Sequence, residues 1–169
     1  MKYTKLSKAD FDSFYTELKK GFIPDEYRSY DDALSLFKND EYEIFCLENG
    51  GVCVGFMSIW QLSDFAFIEH FVIKEEYRNR GLGEAALTVL KSRFKKIVLE
   101  AEPAVQDIQK RRLNFYKRNG FVENDGDYMQ PAYNKNTNEV RLVIMSYPEK
   151  IDDFDSAVLS IRRKVYQKA

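Results

Sequence analysis

The sequence predicts an α/β (α+β) fold whose central sheet is mixed, mostly antiparallel and flanked by helices, with one parallel β-α-β crossover. Two patterns support this prediction. Segments 42–62 and 65–73 are rich in β-branched and aromatic residues and predict three consecutive antiparallel strands. The helix-forming segment 84–96 then joins the last of these strands to the compact apolar segment "IVLEAE". A strand, a helix and a strand in this order predict a parallel crossover.

Helical periodicity and turn residues place the elements of the N-terminal part. A short strand from Tyr3 to Leu6 precedes a helix that opens at Ser7 and ends at Gly21. The apolar face of this helix consists of Phe11, Phe14, Tyr15 and Leu18. A break at Pro24 separates it from a second, short helix that begins at about Asp31.

The C-terminal part follows the crossover. Segment 105–121 predicts a helix that stops at Gly120, and segments 127–133 and 139–147 predict a closing pair of strands. The last helix is amphipathic, with acidic residues at its start and basic residues at its end, as the helix dipole favours. We therefore assign residues 1–148 to a single domain and residues 149–169 to a C-terminal amphipathic helix that packs on the domain or on a partner subunit.

Composition excludes several classes of protein. The 169 residues fit one domain, and 44% hydrophobic and 15% aromatic residues argue against disorder. A formal net charge of -1 argues against a nucleic-acid-binding protein. No apolar run reaches the roughly 20 residues of a membrane helix, and the N-terminus lacks a hydrophobic signal core. The sequence thus predicts a soluble cytoplasmic protein that binds neither nucleic acid nor membrane.

Two cysteines, Cys46 and Cys53, flank a predicted hairpin turn at Asn49 and Gly50. That turn would place them directly opposite each other at a Cα distance of about 5.5 Å or less, which a disulfide can span. In a cytosolic sheet, two reduced and buried thiols are the favoured interpretation. Since the chain has only 1 histidine, a thiolate zinc site lacks partners, and we predict no metal.

Segment 75–87, "EEYRNRGLGEAAL", is the clearest functional motif. Gly81 and Gly83 lie at the N-terminus of the crossover helix, where unpaired N–H groups and a partial positive charge can hold a phosphate. The same letters satisfy a dinucleotide-binding pattern, with Glu100 in the place of the ribose-binding acid. Two features disfavour that alternative. The polar stretch "KEEYRNR" separates the strand from the first glycine, and an antiparallel meander precedes the unit.

The segment "RNRGLG" resembles the acyl-CoA loop of the GNAT superfamily of N-acetyltransferases, with Arg78, Gly81 and Gly83 at the motif positions. The segment "FYKRNGF" at 115–121 resembles the superfamily's aromatic-Tyr segment that ends in Gly-Phe. The predicted order of elements also matches, so the resemblance covers most of the chain. It implies a GNAT-like acyl-CoA N-acyltransferase fold, with acetyl-CoA as co-substrate and direct attack by an amine in a ternary complex.

The resemblance also implies where acetyl-CoA is held. The family places the pyrophosphate on the loop and the pantetheine arm between two splayed parallel strands, which here are "IEHFVI" and "IVLEAE". The expected cofactor-binding residues are Phe71, Val72, Ile73, Arg78, Asn79, Arg80, Gly81, Leu82, Gly83 and Glu84.

Two residues are predicted to be catalytic. An ammonium must lose a proton before it attacks, and Glu69 matches a glutamate that the family often carries on the central strand, so it is the first candidate for the general base. Glu100 and Glu102, on the neighbouring strand, are the alternatives. Tyr116 occupies the position of the tyrosine that often protonates the departing thiolate, and strand N–H groups around Val72 would stabilise the oxyanion.

The acceptor pocket is expected between the first two helices and the last strands. The predicted substrate-binding residues are Glu100, Glu102, Tyr128, Gln130 and Tyr133. The carboxylates favour a cationic amine, although aromatic walls would also suit an aromatic acceptor. His70 is expected to alternate away from Glu69 on the strand and to be a core histidine.

We therefore predict an acetyl-CoA-dependent N-acetyltransferase that acts on the primary amine of a small molecule or on an amino terminus. The predicted partners are this small-molecule or peptide acceptor and a second copy of the chain in a homodimer. The alternatives are a non-catalytic acyl-CoA-binding or regulatory module and the NAD(P)-dependent oxidoreductase disfavoured above.

Overall fold

The computed structural model describes residues 1–168, which form an eight-stranded sheet flanked by helices. The strands are β1 (Lys2–Lys5), β2 (Tyr42–Asn49), β3 (Val52–Gln61), β4 (Ala66–Ile73), β5 (Ile97–Ala101), β6 (Val122–Glu123), β7 (Tyr128–Gln130) and β8 (Val140–Tyr147). The α-helices are α1 (Phe11–Gly21), α2 (Tyr30–Ser35), α3 (Leu82–Arg93), α4 (Asp107–Arg118) and α5 (Phe154–Lys164). Short 3-10 helices lie at Lys8–Asp10, Pro24–Glu26, Leu36–Lys38 and Glu75–Tyr77.

The strand order confirms the predicted fold class. The strands follow the order β1-β2-β3-β4-β5-β8-β6, and β7 pairs with β8. Within residues 1–168, only β4 and β5 pair in parallel, and α3 connects them. The other pairs are antiparallel, so the sheet is mixed and mostly antiparallel, with one β-α-β crossover.

Helices cover both faces of the sheet, and the sheet separates the core into two clusters. On one face α1, α2 and α5 pack on the sheet through Phe14, Leu18, Ala33, Trp60, Phe67 and Ile161. On the other face α3 and α4 pack through Met57, Ile68, Leu87, Leu90 and Leu113. The C-terminal helix α5 therefore shares its core with α1 and α2, because Ile161 and Val165 are buried in the same cluster as Trp60. None of the helices in the described residues is long and apolar enough to cross a membrane.

The hairpin between β2 and β3 turns one residue later than predicted. Gly50 and Gly51 form the turn with φ values of 59° and 80°, which glycine adopts without steric cost. Asn49 consequently pairs with Val52, and a register shift follows after Leu47.

The cysteine prediction was wrong in two respects. The shifted turn places Cys53 opposite Glu48, and together with the register shift between Leu47 and Glu48 it places Cys46 opposite Phe56. The structure nevertheless joins Cys46 and Cys53 in a disulfide, with their Cα atoms 5.9 Å apart, where the sequence favoured two reduced thiols.

Three boundaries also differ from the prediction. The first helix starts as a 3-10 turn because the Ser7 hydroxyl donates to the Asp10 carboxylate at 2.6 Å and caps no backbone N–H. The short strand β6 was not predicted, since its 2 residues are too few to form a pattern. Strand β7 ends at Gln130, before Pro131, since proline has no N–H to donate to a sheet ladder.

Candidate active site

The parallel strands β4 and β5 pair only at their beginnings. The register runs from Ala66 opposite Ile97 to Ile68 opposite Leu99, and residues 69–73 of β4 have no β5 partner. Beyond this point β5 pairs only with β8, so an opening forms between the two strands. The opening lies where the resemblance places the pantetheine arm.

A large cleft occupies this opening. Its volume is about 1040 Å³, which is in the upper range for a small-molecule site. The glycine loop and α4 border one end of the cleft. Carboxylates and an amide border the other end, contributed by Glu26, Glu69, Glu100, Glu102 and Gln130. A second cavity, of about 220 Å³, lies beside β8 and the start of α5 and contains none of the predicted site residues.

The glycine loop forms the N-terminus of α3, and its two glycines serve different purposes. Gly81 is the N-cap with φ 72°, and a Cβ there would meet no atom within 4 Å, so its backbone faces open space. At Gly83 a Cβ would lie 3.1 Å from Cζ of Phe115, so this glycine lets α4 approach α3 closely. Gly81 therefore leaves the helix N-terminus open to a phosphate, while Gly83 lines the cleft and also permits the close packing of Phe115.

The predicted loop residues do not all reach the cleft. Those that line it are Arg78, Asn79, Gly81, Leu82, Gly83 and Glu84. The guanidinium of Arg78 donates through Nε to the Ile73 carbonyl at 3.0 Å and is otherwise exposed. Arg80 is not among the residues that line the cleft, and its guanidinium lies 5.7 Å from the Tyr77 ring centroid.

The alternation of β4 decides which backbone groups face the opening. The N–H of Lys74 donates to the Val54 carbonyl of β3 at 2.9 Å. Because backbone groups of an antiparallel strand alternate in direction, those of Val72 also point to β3, whereas those of Phe71 and Ile73 point to the cleft. The predicted oxyanion contact near Val72 therefore moves to its neighbours.

A β-bulge lies at the centre of β4. Ser58 pairs with His70 and Ile59 pairs with Ile68, so Glu69 has no partner of its own in β3. A bulge breaks the alternation of side chains, and Glu69 and His70 both lie on the face covered by α1. The prediction that His70 alternates away from Glu69 was wrong for this reason.

His70 is a buried histidine with both ring nitrogens occupied. Its Nδ1 lies 3.2 Å from the Ser58 hydroxyl, and its Nε2 lies 2.9 Å from the Glu26 carbonyl. Its ring packs against Phe22 with centroids 5.0 Å apart. Burial lowers the pKa of His70, so the imidazole is neutral at pH 7. It is a core histidine without a free nitrogen for catalysis.

The Glu69 carboxylate is buried and accepts hydrogen bonds from three side chains. The side chain is 1% exposed and accepts hydrogen bonds from Arg28, from Trp60 Nε1 at 3.0 Å and from the Tyr133 hydroxyl at 2.9 Å. Burial alone would raise the pKa of Glu69, but the neighbouring Arg28 charge, with smaller contributions from His70 and Trp60, holds it below its usual value. The lowered pKa makes this carboxylate a weak base, and three donors already occupy most of its roughly four acceptor sites.

Arg28 was not predicted as a site residue. It lies between α1 and α2, donates to Glu69 and to the Val165 carbonyl, and lies 4.6 Å from the centroid of the Tyr133 ring. It thereby ties the loop before α2 to the β4 bulge and to the end of α5. Its position between tyrosines in "EYRSY" was the only sequence signal, since an arginine among aromatic residues is a candidate for a cation–π contact.

Glu100 differs from Glu69 in having no cationic partner and a raised pKa. It lines the cleft at the end of β5 and accepts hydrogen bonds from the hydroxyls of Tyr128 and Tyr166. Burial raises the pKa of Glu100 to about 7, although the tyrosine hydrogen bonds oppose this shift; nearby Glu69 and Glu26 raise it further. A carboxyl group with a pKa near neutrality can both take up and release a proton at physiological pH.

Tyr116 lies on α4 across the cleft and is the second candidate for proton transfer. It is 8% exposed, it lines the cleft, and its hydroxyl has no hydrogen-bond partner among residues 1–168. Its ring packs against Phe115 and Phe121. Burial raises the pKa of Tyr116 to about 12, so the hydroxyl remains protonated at neutral pH and available as a donor.

The predicted acceptor residues fall into two groups. Glu100, Glu102 and Gln130 line the cleft, whereas Tyr128 and Tyr133 do not and instead hydrogen-bond the carboxylates. The Glu102 carboxylate accepts from Arg112 at 2.7 Å, and the Gln130 amide donates to the Asp25 carbonyl at 2.9 Å. Of the two carboxylates in this group, Glu102 has a cationic partner and Glu100 has none.

Comparisons with known proteins agree with this geometry. A structure described as a "Putative acetyltransferase from GNAT family" of Bacteroides thetaiotaomicron is similar with a TM-score of 0.93 and 26% identity, covering 100% of both chains. A crystal structure of an aminoglycoside 6'-N-acetyltransferase complexed with coenzyme A is similar with a TM-score of 0.64 and 14% identity, covering 86% of this chain and 96% of that chain. At that identity the second similarity shows the fold alone.

Sequence comparison gives the same family. The "Putative acetyltransferase YjbC" of Bacillus subtilis (strain 168) is 24% identical over 158 residues, which is 92% of this chain and 80% of the relative. The model of the acetyltransferase (GNAT) family matches residues 9–121, which include the glycine loop, the β4 bulge and the Gly-Phe segment. With the match extending over more than half of its length, the chain belongs to the acetyltransferase (GNAT) family.

Proposed function

We propose that the protein is an acetyl-CoA-dependent N-acetyltransferase that transfers an acetyl group to the primary amine of a small molecule or to an amino terminus. One observation carries this proposal. A single cleft joins a helix N-terminus left open at Gly81 to a carboxyl group, Glu100, whose pKa is near neutrality. The first feature suits a pyrophosphate, and the second suits proton removal from an ammonium.

The residues that would hold acetyl-CoA fit that molecule. The first turn of α3 offers the backbone N–H groups of residues 82–84, Gly81 places no side chain in front of them, and Arg78 supplies a positive charge. The unpaired edge of β4 offers the backbone groups of Phe71 and Ile73 along the cleft. When bound there, acetyl-CoA supplies the activated acetyl group as a thioester.

The remaining chemistry belongs to side chains on opposite walls. Glu100 removes a proton from the acceptor ammonium, which frees the lone pair of the amine for attack on the thioester carbon. The N–H group of Phe71 or that of Ile73 donates to the developing oxyanion; the two lie about 6.6 Å apart on the strand, so one oxyanion contacts only one of them. As the C–S bond breaks, Tyr116 gives its proton to the departing thiolate, and the second proton that the attacking nitrogen loses returns to the Tyr116 oxygen. Glu69 has a structural role, because its negative charge is balanced by Arg28.

Coenzyme A release tests this function directly. The purified protein is incubated with acetyl-CoA and a panel of polyamines, aminoglycosides, aromatic amines and peptides with free amino termini, and the free thiol is measured. Release with at least one amine is expected. Stabilisation by acetyl-CoA in a thermal-shift assay without release for any amine would favour the non-catalytic module. Stabilisation by NADPH and not by acetyl-CoA would favour the oxidoreductase.

Arg78→Ala is expected to raise the KM for acetyl-CoA about tenfold with little change in kcat, because one exposed charge on the pyrophosphate is lost. Steady-state kinetics at several ionic strengths measure the effect. The matched control is Arg163→Ala, which removes an exposed arginine from α5. Equal KM values for the two variants would contradict the pyrophosphate assignment.

Tyr116→Phe is expected to lower kcat about 100-fold and to leave the KM for acetyl-CoA unchanged, because the thiolate departs without a proton donor. The measurement is kcat from pH 6 to pH 10. Tyr147→Phe, which removes a hydroxyl from a tyrosine packed on Phe121, is the control. Turnover of Tyr116→Phe at the wild-type level across this pH range would exclude the donor role.

A further inference from the structure

We propose that Tyr166, which follows α5, is a positioning residue for Glu100. Its hydroxyl holds one carboxylate oxygen and so fixes the orientation in which Glu100 meets the acceptor ammonium. Tyr166 lies outside residues 9–121, which the family model matches. The inference deepens the proposed function, since it rests on Glu100 as the general base.

The contacts of Glu100 carry this inference. The Tyr166 hydroxyl donates to Oε2 at 2.6 Å, and the Tyr128 hydroxyl donates to Oε1. The two donors come from different elements, the end of α5 and strand β7, and each holds a different oxygen. Hydrogen bonds to an ionised acceptor are short and strong, so this pair fixes the plane of the carboxylate. The carboxylate still borders the cleft and can accept from a ligand there.

Tyr166 is itself held firmly. It is 5% exposed, and its ring packs against the Tyr133 ring with centroids 5.0 Å apart. The preceding Val165 is 1% exposed and donates its N–H to the Ile161 carbonyl at 2.9 Å, while its own carbonyl accepts from Arg28. The phenol therefore reaches Glu100 from a fixed backbone, as a positioning role requires.

Arg28 connects this arrangement to the β4 bulge. The same guanidinium that holds Val165 also pairs with Glu69, and Tyr133 packs beside both the guanidinium and Tyr166. The C-terminal residues 165–166 thus lie behind the carboxylates that border the cleft. A segment that the sequence identified only as an amphipathic packing helix donates a hydrogen bond to Glu100 and, through the Val165 carbonyl, holds the guanidinium that pairs with Glu69.

The charged and titratable groups around Glu100 set the direction of the expected effect. Tyr166 and Tyr128 donate to the carboxylate and favour its ionised form, while burial and the negative charges of Glu69 and Glu26 favour the protonated form. Removing the Tyr166 hydroxyl takes away one of the two donors. The pKa of Glu100 should rise, and less of the ionised base should be present at neutral pH.

NMR of the free protein tests the inference without any turnover. The side-chain carboxyl carbons of glutamate are labelled with ¹³C, and the Glu100 signal is assigned by its absence in Glu100→Gln. We expect a titration midpoint near 7 in the wild type, and one higher by about 0.5 to 1 pH unit in Tyr166→Phe. The control Tyr3→Phe loses a comparable hydrogen bond, to the Ala86 carbonyl at 2.8 Å, and should leave the midpoint unchanged.

The kinetic arm measures kcat/KM for the acceptor against pH. Tyr166→Phe should move the acidic limb to higher pH, so its deficit relative to the wild type is larger at pH 6 than at pH 9, while the KM for acetyl-CoA is unchanged. Tyr166→Gln retains a hydrogen-bond donor, so its acidic limb should lie between those of Tyr166→Phe and the wild type. An equal deficit at every pH, or a Glu100 midpoint that Tyr166→Phe does not move, would overturn the inference. If no amine is acetylated, the proposed function fails, and the NMR titration still decides the role of Tyr166.

Discussion

Glu100→Gln is expected to lower kcat/KM for the acceptor amine by about 100-fold or more, because a glutamine cannot take the proton from the ammonium. The acidic limb of the pH profile should disappear with it. In the wild type this limb should have its midpoint near 7, since Glu100 must be ionised to act and its pKa is about 7. The measurement is kcat/KM from pH 5.5 to pH 9.5 for both proteins at saturating acetyl-CoA.

The choice between Glu100 and Glu69 follows from the same experiment. Glu69→Gln should retain the acidic limb, because the Glu69 carboxylate is paired with Arg28 and ionised throughout this range. The control Glu43→Gln alters a half-buried carboxylate on β2 that pairs with the exposed Lys5. A limb that is retained in Glu100→Gln and lost in Glu69→Gln would return the base assignment to Glu69.

Stability provides an independent check on Glu100. Its pKa in the folded chain lies above its ordinary value of 4.5, so the folded state binds a proton that the unfolded chain releases between about pH 4.5 and pH 7. Stability should therefore fall as pH rises through this window and then level off. Chemical denaturation should show this decline in the wild type, and the decline over the window should be smaller by about 3 kcal/mol in Glu100→Gln.

Arg28→Met is expected to destabilise the fold by about 3 to 5 kcal/mol at pH 7, because it leaves the Glu69 carboxylate buried without its cation. The Glu69 side chain is 1% exposed, so water cannot replace the guanidinium. Without Arg28, burial raises the pKa of Glu69, and protonation relieves the penalty. The deficit should therefore be largest above the raised pKa that Glu69 has in the folded variant and should decrease as pH falls below it.

Two further variants separate the ion pair from general packing. In the double variant Arg28→Met/Glu69→Gln the unpaired charge is gone, and about half or more of the lost stability should return. Lys5→Met removes the cation of an exposed pair with Glu43 at 3.1 Å and should cost less than about 1 kcal/mol. Urea denaturation measures all of these variants. A cost for Arg28→Met as small as that for Lys5→Met would show that the pair is solvated.

The fold could be predicted because local sequence patterns indicate most of its helices and strands. Segments 42–62 and 65–73 favour strands by composition, and 84–96 joins two strands in an order that requires a crossover. The errors arose where one residue decides the register. The hairpin turns at Gly50 and Gly51, and the preceding Asn-Gly pair is an equally strong turn signal. This single shift changed the partners of both cysteines.

The site could be predicted only in part. The glycine loop and Tyr116 were found because each belongs to a continuous motif, and the structure brings them to one cleft. The assignments on β4 were less accurate, because the bulge at Glu69 places Glu69 and His70 on the same face. A bulge inserts one residue and breaks the alternation of side chains, but the strand "AFIEHFVI" is apolar almost throughout and has no alternation in which the inserted residue could be seen.

The sequence by itself determined the mixed sheet, the crossover and the glycine loop, because these depend on residues that are neighbours in the chain. The tertiary structure alone decided how the surroundings of the two carboxylates Glu69 and Glu100 differ. Arg28 is 41 residues from Glu69, and Tyr166 is 66 residues from Glu100. The pKa of a buried carboxyl group depends on the charges and donors that folding brings around it. The pairing with Arg28 lowers that of Glu69, and burial without a cation raises that of Glu100.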